Sequence, residues 1–263
     1  MMQDDGELRL AAAAAVAREA GTLGLRYFRN LEALEIESKG PQDVVSAADR
    51  AVEDLIRQRL GALFPGDAIL GEEGGLHGDG RDGTWVVDPI DGTWCFLNGI
   101  GAWCVSLAYV RDGRIETGVI YDPNAGELFA ARAGGGATLD GRPIHVANAS
   151  SLTQGTVSVG HSNRIPASKV VPVIDRLLQA GGMFHRHGSG ALGLAWTACG
   201  RLIGYVEPHM NSWDAVAGLL LIAEAGGYTN DFLANDGLMK GNFVLGCPPA
   251  LRRALCEAAG VEV

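Results

Sequence analysis

The sequence predicts a layered α/β fold made of two subdomains, residues 1–150 and 151–263. Two observations carry this prediction. Segments with helical apolar spacing precede a run of antiparallel strands in the first half, and strands alternate with helices through the second. Alternating strands and helices pack in layers around a common core. Nothing resembling a repeat or a linker separates the halves, so we expect them to share a cleft that holds the ligand site.

The first subdomain is expected to begin with helices. Residues 8–29 and 47–63 carry apolar residues at helical spacing, and the segment 37–43 between them is polar and rich in turn residues. Two helices would therefore precede the first strand. Strands are predicted at 102–111, 114–121 and 128–133. The Asp-Gly and Asp-Pro-Asn-Ala-Gly turns between them favour antiparallel pairing.

The second subdomain is predicted to alternate between strands and helices. Its predicted strands are 156–159, 183–186, 203–207 and 243–246. Its predicted helices are 169–178, 191–199, 213–224 and 248–259. Each helix is expected to cover one face of a sheet.

Composition narrows the class of protein. The 263 residues are 47% hydrophobic, which predicts a folded core, and 31 acidic against 21 basic residues give a net charge of −10. The basic residues are scattered, so we expect neither nucleic acid nor a membrane as a partner. A phosphorylated ligand would need cations to enter so acidic a protein.

The sequence also favours a cytoplasmic protein. The apolar run 11–16 is flanked by charged residues and predicts an amphipathic helix rather than a signal peptide, and no apolar stretch reaches the ~20 residues that span a bilayer. Five cysteines without a C-x-x-C pair predict neither a disulfide framework nor a zinc site.

The segment 85–93, Trp-Val-Val-Asp-Pro-Ile-Asp-Gly-Thr, runs an apolar strand into a tight turn that carries two carboxylates, Asp88 and Asp91. Gly92 permits unusual backbone angles, and Thr93 stands where a helix can begin. The backbone N–H groups of Gly92 and Thr93 could then bind phosphate next to a metal held by the carboxylates.

Further carboxylates stand at comparable positions. Glu72 and Glu73 follow an apolar strand, and Asp214 opens an apolar helix. Taken singly, each is also typical of a solvated turn or of a helix's first turn. Four carboxylates in one pocket would repel one another unless a divalent cation neutralised them. Oxygen ligands without a Cys/His pattern favour Mg²⁺, with Mn²⁺ also possible.

Metal-assisted phosphoryl transfer is therefore the leading hypothesis. Glu72 and the Thr93 hydroxyl are the candidates for activating a water molecule that attacks the phosphate. The run Gly188-Ser189-Gly190 is a weak signal for an anion-binding loop and is more typical of a helix N-cap.

Three blocks of the sequence resemble the inositol monophosphatase family of Mg²⁺-dependent, lithium-sensitive phosphatases. These blocks are Gly-Glu-Glu at 71–73, the segment 85–93, and Trp-Asp-Ala-Val-Ala-Gly at 213–218 with Glu-Ala-Gly-Gly at 224–227. Their order and spacing match the family over almost the whole chain. The resemblance implies an αβαβα sandwich, commonly dimeric, with two or three metal ions. It implies as metal ligands Glu72, Asp88, the Ile90 carbonyl, Asp91 and Asp214.

The resemblance also implies roles for residues around the metals. Asp49 would accept a hydrogen bond from Thr93, and Lys39 with Glu73 would stand at the edge of the metal site. Glu207 would contact hydroxyl groups of the substrate. The other implied substrate contacts are Asp91, Gly188, Ser189, Gly190 and Asp214.

Three positions depart from the family pattern. Cys95 stands where Asn is usual, Ile203 where many members have Asp, and Gly190 where Ala is common. Each predicted metal ligand is present, so we expect an active phosphatase, with inositol monophosphate as first substrate. Histidinol phosphate, fructose 1,6-bisphosphate and adenosine 3′,5′-bisphosphate remain alternatives. A protein of another class, a non-catalytic regulator that binds metal or a phosphosugar, also remains open.

Overall fold

The computed structural model describes residues 5–33, 36–40, 43–162 and 165–262. Its α-helices are α1 (Asp5–Phe28), α2 (Ala47–Leu63), α3 (Thr93–Leu97), α4 (Ala167–Gln179), α5 (Gly190–Ala198), α6 (Ser212–Glu224), α7 (Gly237–Lys240) and α8 (Arg252–Ala259). Its strands are β1 (Ile36–Gly40), β2 (Asp43–Ser46), β3 (Ala68–Gly71), β4 (Gly75–His77), β5 (Thr84–Asp91), β6 (Cys104–Arg111), β7 (Arg114–Asp122), β8 (Glu127–Arg132), β9 (Gly136–Leu139), β10 (Arg142–Pro143), β11 (Thr156–Val159), β12 (Met183–His185), β13 (Gly204–Met210), β14 (Tyr228–Thr229) and β15 (Asn242–Cys247).

The layers form an αβαβα sandwich. The first sheet has the order β10-β9-β8-β7-β6-β5-β3-β4, and the second has the order β12-β11-β13-β15-β14. Helices α1 and α2 pack on one face of the first sheet, α5 and α6 lie between the sheets, and α4 and α8 cover the second. The predicted layered α/β fold is thus confirmed.

Small residues let α1 approach the first sheet closely. Ala13, Ala17 and Ala20 are fully buried there. A Cβ atom on Gly21 would lie 2.6 Å from the Tyr121 ring, and one on Gly24 would lie 2.8 Å from the Trp103 ring. The alanine-rich segment of the sequence is therefore a core-facing helix whose small side chains make room for aromatic rings.

The segment between the first two helices differs from the prediction. Strands β1 and β2 form an antiparallel hairpin there, with Ile36 opposite Ser46, so the expectation that two helices precede the first strand is wrong. The apolar residues of this hairpin, Ile36, Val44 and Val45, do not alternate with polar ones, and apolar alternation is the pattern that predicts a strand.

The remaining predicted elements fall close to the observed ones. Strands β6, β7 and β8 pair as antiparallel neighbours, as the turns predict. The final predicted helix, 248–259, begins instead with a 3₁₀ turn at Pro249–Leu251 before α8. The predicted division near residue 150 falls between the last strand of the first sheet and the first strand of the second.

Strand pairing brings the acidic segments together. Strands β3 and β5 run parallel with Gly71 opposite Val87, so Glu72 and Asp88 emerge side by side at the same edge of the sheet. On β6, Ser106 pairs with Asp88, and its hydroxyl donates a 3.0 Å hydrogen bond to the Trp213 carbonyl. This bond holds the first turn of α6, and with it Asp214, beside the end of β5.

Among the helices of the described ranges, none combines the length and the apolar character that a bilayer crossing requires.

Candidate active site

Most of the site residues predicted from the sequence line one open cavity. These residues are Glu72, Asp88, Ile90, Asp91, Gly92, Thr93, Gly188, Ser189, Gly190, Glu207 and Asp214. The cavity lies where β5 ends, α5 and α6 begin and β13 passes. It therefore joins elements from both halves of the chain.

Three carboxylates in this cavity form a compact group. Glu72, Asp88 and Asp214 each offer an oxygen atom, and these atoms lie within 4.8 Å of one another. Asp88 is 1% exposed. Its burial, together with the charges of Glu72, Asp91 and Asp214, raises the pKa of Asp88 well above its usual value.

This group fits a divalent cation. Asp88 is buried and Glu72 and Asp214 are half-buried, and carboxylates at such distances repel one another. A metal ion relieves the repulsion while using each oxygen as a ligand. The donors are hard oxygens, the type that Mg²⁺, Mn²⁺ and Ca²⁺ prefer. The arrangement can hold a metal ion next to a bound anion.

Asp91 is held by the start of α5. Its Oδ2 accepts a 2.7 Å hydrogen bond from the Ala191 N–H and another from the Ser189 hydroxyl. Burial, and then the charge of Asp214, raises the pKa of Asp91 to about 7. Asp91 lies outside the group of three carboxylates, and its role as a metal ligand stays a prediction.

The turn after β5 has the geometry that its sequence indicates. Asp88 Oδ1 accepts a 2.9 Å hydrogen bond from the Ile90 N–H. Gly92 has φ 97°, and a Cβ atom there would lie 2.6 Å from the Ala102 carbonyl oxygen, so the position requires glycine. Helix α3 begins at Thr93, as predicted.

The Thr93 hydroxyl lies between two acceptors. Its oxygen is 3.1 Å from the Ile90 carbonyl and 3.3 Å from Asp49 Oδ1. Asp49 is fully buried at the first turn of α2, where it forms a capping box with Ser46. Burial raises the pKa of Asp49, although its hydrogen bonds oppose the shift. The contact that the resemblance implies is present, and its catalytic role stays a prediction.

Glu73 and Lys39 are the residues predicted at the edge of the metal site. Glu73 follows Glu72 in the loop after β3, where its N–H donates to Glu53. Lys39 belongs to β1 by its backbone, and its side chain lies outside the described part of the chain.

The far end of the cavity holds Glu207. Its Oε2 accepts a 2.6 Å hydrogen bond from the Tyr205 hydroxyl. Burial raises the pKa of Glu207 to about 8, although the Tyr205 hydrogen bond opposes the shift.

Of the described residues that line the cavity, Arg186 alone has a permanent positive charge. Burial, and then His185, lowers the pKa of His187 to about 4, so His187 is neutral near pH 7.

The loop 188–190 serves first as a helix start. Ser189 is the N-cap of α5, and its side chain accepts a 3.2 Å hydrogen bond from the Leu192 N–H. This is the N-cap that the sequence indicates.

Beneath the loop, the Cys95 thiol lies 3.9 Å from the His187 carbonyl. Ile203, another departure from the family pattern, is buried in the core of the second sheet.

Sequence reasoning missed residues that position the site. Glu53 and Arg57 on α2 hold the loop that carries Glu72, and Tyr205 holds Glu207. Glu53 and Arg57 stand four residues apart on a helix, a spacing that usually indicates an exposed ion pair. A signal for the burial of Glu53 was present, since Glu53 shares the apolar face of α2 with Ile56 and Leu60.

Comparisons with known proteins agree with this geometry. The family model described as the inositol monophosphatase family matches residues 5–260. The chain is 42% identical over 222 residues to Nus factor SuhB of Xylella fastidiosa, with 84% of this chain and 80% of that one covered. It is 37% identical over 245 residues to inositol-1-monophosphatase of Mesorhizobium japonicum, with 92% of each covered.

A solved structure shares the fold over the full length. Extragenic suppressor protein suhB from Bartonella henselae matches with a TM-score of 0.90 at 31% identity, covering 97% of this chain and 100% of that one. The fold and the cavity thus define an αβαβα sandwich with an acidic cleft between its sheets. The chain belongs to the inositol monophosphatase family.

Proposed function

We propose that the chain is a Mg²⁺-dependent phosphomonoesterase that hydrolyses a small phosphorylated polyol, with inositol monophosphate as the first candidate. The observation that carries the proposal is the convergence of Glu72, Asp88 and Asp214, which come from three distant segments, beside Thr93. Membership of the inositol monophosphatase family supports it.

The proposed mechanism divides the work between metal and protein. When bound, two or three Mg²⁺ ions would neutralise the carboxylates, polarise the phosphoryl group and lower the pKa of the attacking water. Glu72 would accept the proton of that water, and the Thr93 hydroxyl, oriented by Asp49, would hold it in place. The N–H groups of Gly92 and Thr93 would bind the phosphate oxygens.

The other end of the cavity would bind the part of the substrate to which the phosphate group is attached. Glu207 would accept hydrogen bonds from substrate hydroxyls, and Asp91, Asp214 and the loop 188–190 would complete this contact surface. Few residues take part in this recognition, so proteins with the same metal site can act on different phosphate esters. Histidinol phosphate, fructose 1,6-bisphosphate and adenosine 3′,5′-bisphosphate are therefore alternative substrates.

A phosphate-release assay tests the proposal. The purified protein is incubated with each of these four esters, inositol 1-phosphate being the first, with Mg²⁺ and then with excess chelator. We expect release from at least one ester and its loss on chelation. Absence of release from all four, or release that a chelator leaves undiminished, would contradict the proposal.

A second candidate function comes from the names of relatives. Several carry the name Nus factor SuhB, which is not an enzyme name. The second candidate is therefore a non-catalytic regulator of the same fold that binds metal or a phosphosugar.

Glu72→Gln distinguishes the two candidates. An enzyme should lose about 100-fold or more in kcat and remain folded, because general-base catalysis contributes at least that factor. Glu116→Gln, which changes a half-buried carboxylate on β7 paired with Arg111, is the control and should retain full activity. If the wild type turns over none of the four esters and yet binds Mg²⁺, the regulator is favoured.

We also propose a cytoplasmic homodimer. Light scattering of the purified protein should give twice the chain mass of 27.5 kDa. A mass of one chain at micromolar concentration would contradict this.

A further inference from the structure

Tyr205 is a buried side chain that the proposed mechanism does not use. It is 1% exposed, and its hydroxyl donates the 2.6 Å hydrogen bond to Glu207 Oε2. Tyr205 and Glu207 stand two positions apart on β13, so their side chains lie on the same face of the sheet. The phenol therefore reaches the cavity from the core side and ends on the carboxylate.

Three glycines make room for the Tyr205 ring. A Cβ atom on Gly160 would lie 2.5 Å from the Tyr205 hydroxyl oxygen, and one on Gly190 would lie 3.1 Å from it. A Cβ atom on Gly193 would lie 2.6 Å from Tyr205 Cε2. None of the three has a positive φ, so space rather than backbone conformation explains glycine there. Gly193 lies inside α5, where alanine favours the helix more.

Gly160 also confines the Glu207 carboxylate, because a Cβ atom there would overlap Glu207 Oε2. Oε2 thus lies against Gly160 and is bound to the Tyr205 hydroxyl. Because Glu207 lines the cavity and its Oε2 is bound to Tyr205, we expect Oε1 to accept hydrogen bonds from a ligand.

We propose that Tyr205 is a positioning residue that fixes the Glu207 carboxylate for substrate hydroxyls, and so gives the site its preference for phosphorylated polyols over simple phosphate esters. This inference rests on the proposed function and on the predicted contact of Glu207 with the substrate. A carboxylate held in one orientation loses no rotational freedom when the substrate binds. A substrate without hydroxyl groups makes no hydrogen bond to Glu207, so the fixed orientation of Glu207 does not increase its affinity.

Tyr205→Phe tests the proposal, because phenylalanine keeps the ring and removes only the hydroxyl. Kinetics are measured with inositol 1-phosphate and with phenyl phosphate, which has no hydroxyl group, at saturating Mg²⁺. For inositol 1-phosphate we expect KM to rise about tenfold, the loss typical of one hydrogen bond, with kcat within about twofold. For phenyl phosphate we expect kcat/KM to change by less than about twofold.

A matched control removes another buried tyrosine hydroxyl. Tyr109 is fully buried in the core beside α1 and donates to the Asp82 carbonyl, away from the cavity. Tyr109→Phe should leave the ratio of kcat/KM for the two substrates unchanged. In a protein that already carries Glu207→Ala, Tyr205→Phe should not change the ratio of kcat/KM for the two substrates any further, because Tyr205 acts through Glu207.

Further measurements keep the proposal open to refutation. Thermal unfolding of each variant reports whether the fold persists. If Tyr205→Phe fails to fold, Gly160→Ala replaces it, because its methyl group would displace Glu207 Oε2 and should produce the same rise in KM for inositol 1-phosphate alone.

The two proposals fail in different ways. Absence of phosphate release by the wild-type protein from every ester would refute the proposed function. An active wild type in which Tyr205→Phe lowers kcat/KM equally for both substrates, or for neither, would overturn the role of Tyr205 and leave the proposed function standing.

Discussion

Glu53 on α2 holds the backbone of Glu73: its Oε2 accepts a 2.9 Å hydrogen bond from the Glu73 N–H. Its Oε1 accepts from the Gly74 N–H at 2.8 Å and from Arg57 Nε at 2.7 Å. Glu53 is 2% exposed. The position of Glu72, one residue earlier, therefore depends on a helix that contributes no predicted metal ligand.

Glu53→Ala should destabilise the protein and weaken the metal site. Two backbone N–H groups and the Arg57 guanidinium would lose a buried acceptor, which costs about 3 kcal/mol of unfolding free energy. Mg²⁺ affinity should fall about tenfold, as expected when support behind a ligand is lost. Urea unfolding and Mg²⁺ titration measure the two effects.

The control for this prediction is Glu19→Ala. Glu19 makes a bidentate pair with Arg59 on the surface, at 2.7 and 2.9 Å, and both side chains are exposed. Its loss should change stability little, because water screens exposed pairs. Equal effects of the two substitutions would show that burial of Glu53 is unimportant.

Asp88→Asn should stabilise the metal-free protein while removing its response to Mg²⁺. Burial and the neighbouring carboxylates make the ionised form of Asp88 unfavourable in the folded protein, and asparagine has no ionised form, so the thermal midpoint in chelator should rise. The wild type should gain about 2.7 kcal/mol when Mg²⁺ is at 100 times its Kd, and the variant only a small fraction.

Asp122→Asn is the control for Asp88→Asn. Asp122 is buried at the end of β7, and its Oδ1 accepts from the N–H groups of Asn124 and Ala125 at 2.9 and 3.0 Å. This variant should lose stability and keep the full Mg²⁺ response. A full Mg²⁺ response in Asp88→Asn itself would contradict the predicted ligand set.

The metal-free protein should lose stability as the pH rises from 6.5 to 8. Burial raises the pKa of Asp91 to about 7 and that of Glu207 to about 8, both above the ordinary values near 4. Above pH 5 the unfolded chain has released these protons and the folded chain still holds them. The stability that the bound protons provide is therefore lost as the pH passes through the folded pKa values.

Urea unfolding in chelator at several pH values measures this loss. Readings start at pH 6.5 because the lowered pKa of His187, about 4, acts in the opposite direction below that value. The double variant Asp91→Asn, Glu207→Gln should show a flatter profile over the same window. A wild-type stability that stays constant or increases from pH 6.5 to 8 would count against the prediction.

Thr93→Ala should lower kcat about 100-fold, because it removes the hydroxyl proposed to orient the attacking water. Thr93→Ser keeps the hydroxyl and should retain most of the activity. Thr197→Ala is the control, since Thr197 is a buried threonine inside α5 whose hydroxyl donates to the Gly193 carbonyl. Comparable kcat values for Thr93→Ala and Thr197→Ala would remove Thr93 from the mechanism.

Much of the fold could be predicted because its elements carry local signals. Helical apolar spacing predicted α1 and α2, and turn residues predicted the antiparallel strands β6 to β8. The hairpin of β1 and β2 gave no such signal, since its apolar residues do not alternate with polar ones and it pairs outside both main sheets. Short strands such as β4, β10 and β14 also escaped prediction, because two or three residues carry too little periodicity.

The candidate site, like the fold, could be predicted only in part from the sequence. Glu72, Asp88 and Asp214 were visible in the sequence as carboxylates at the ends of apolar elements. Their convergence was a hypothesis until the parallel pairing of β3 with β5 and the bond from Ser106 to the start of α6 placed them together. Glu53 could not be identified as a support, because its partners lie about twenty residues away along the chain.

The sequence by itself determined the layered α/β class, most helix and strand positions and the acidic residues at their ends, because these depend on periodicity and turn chemistry within a few neighbouring residues. Only the tertiary structure decided which carboxylates meet, that Asp91 binds the start of α5, and that Tyr205 lies behind Glu207. Such contacts join residues far apart in the chain, and their geometry depends on how strands pair and how helices pack between the sheets.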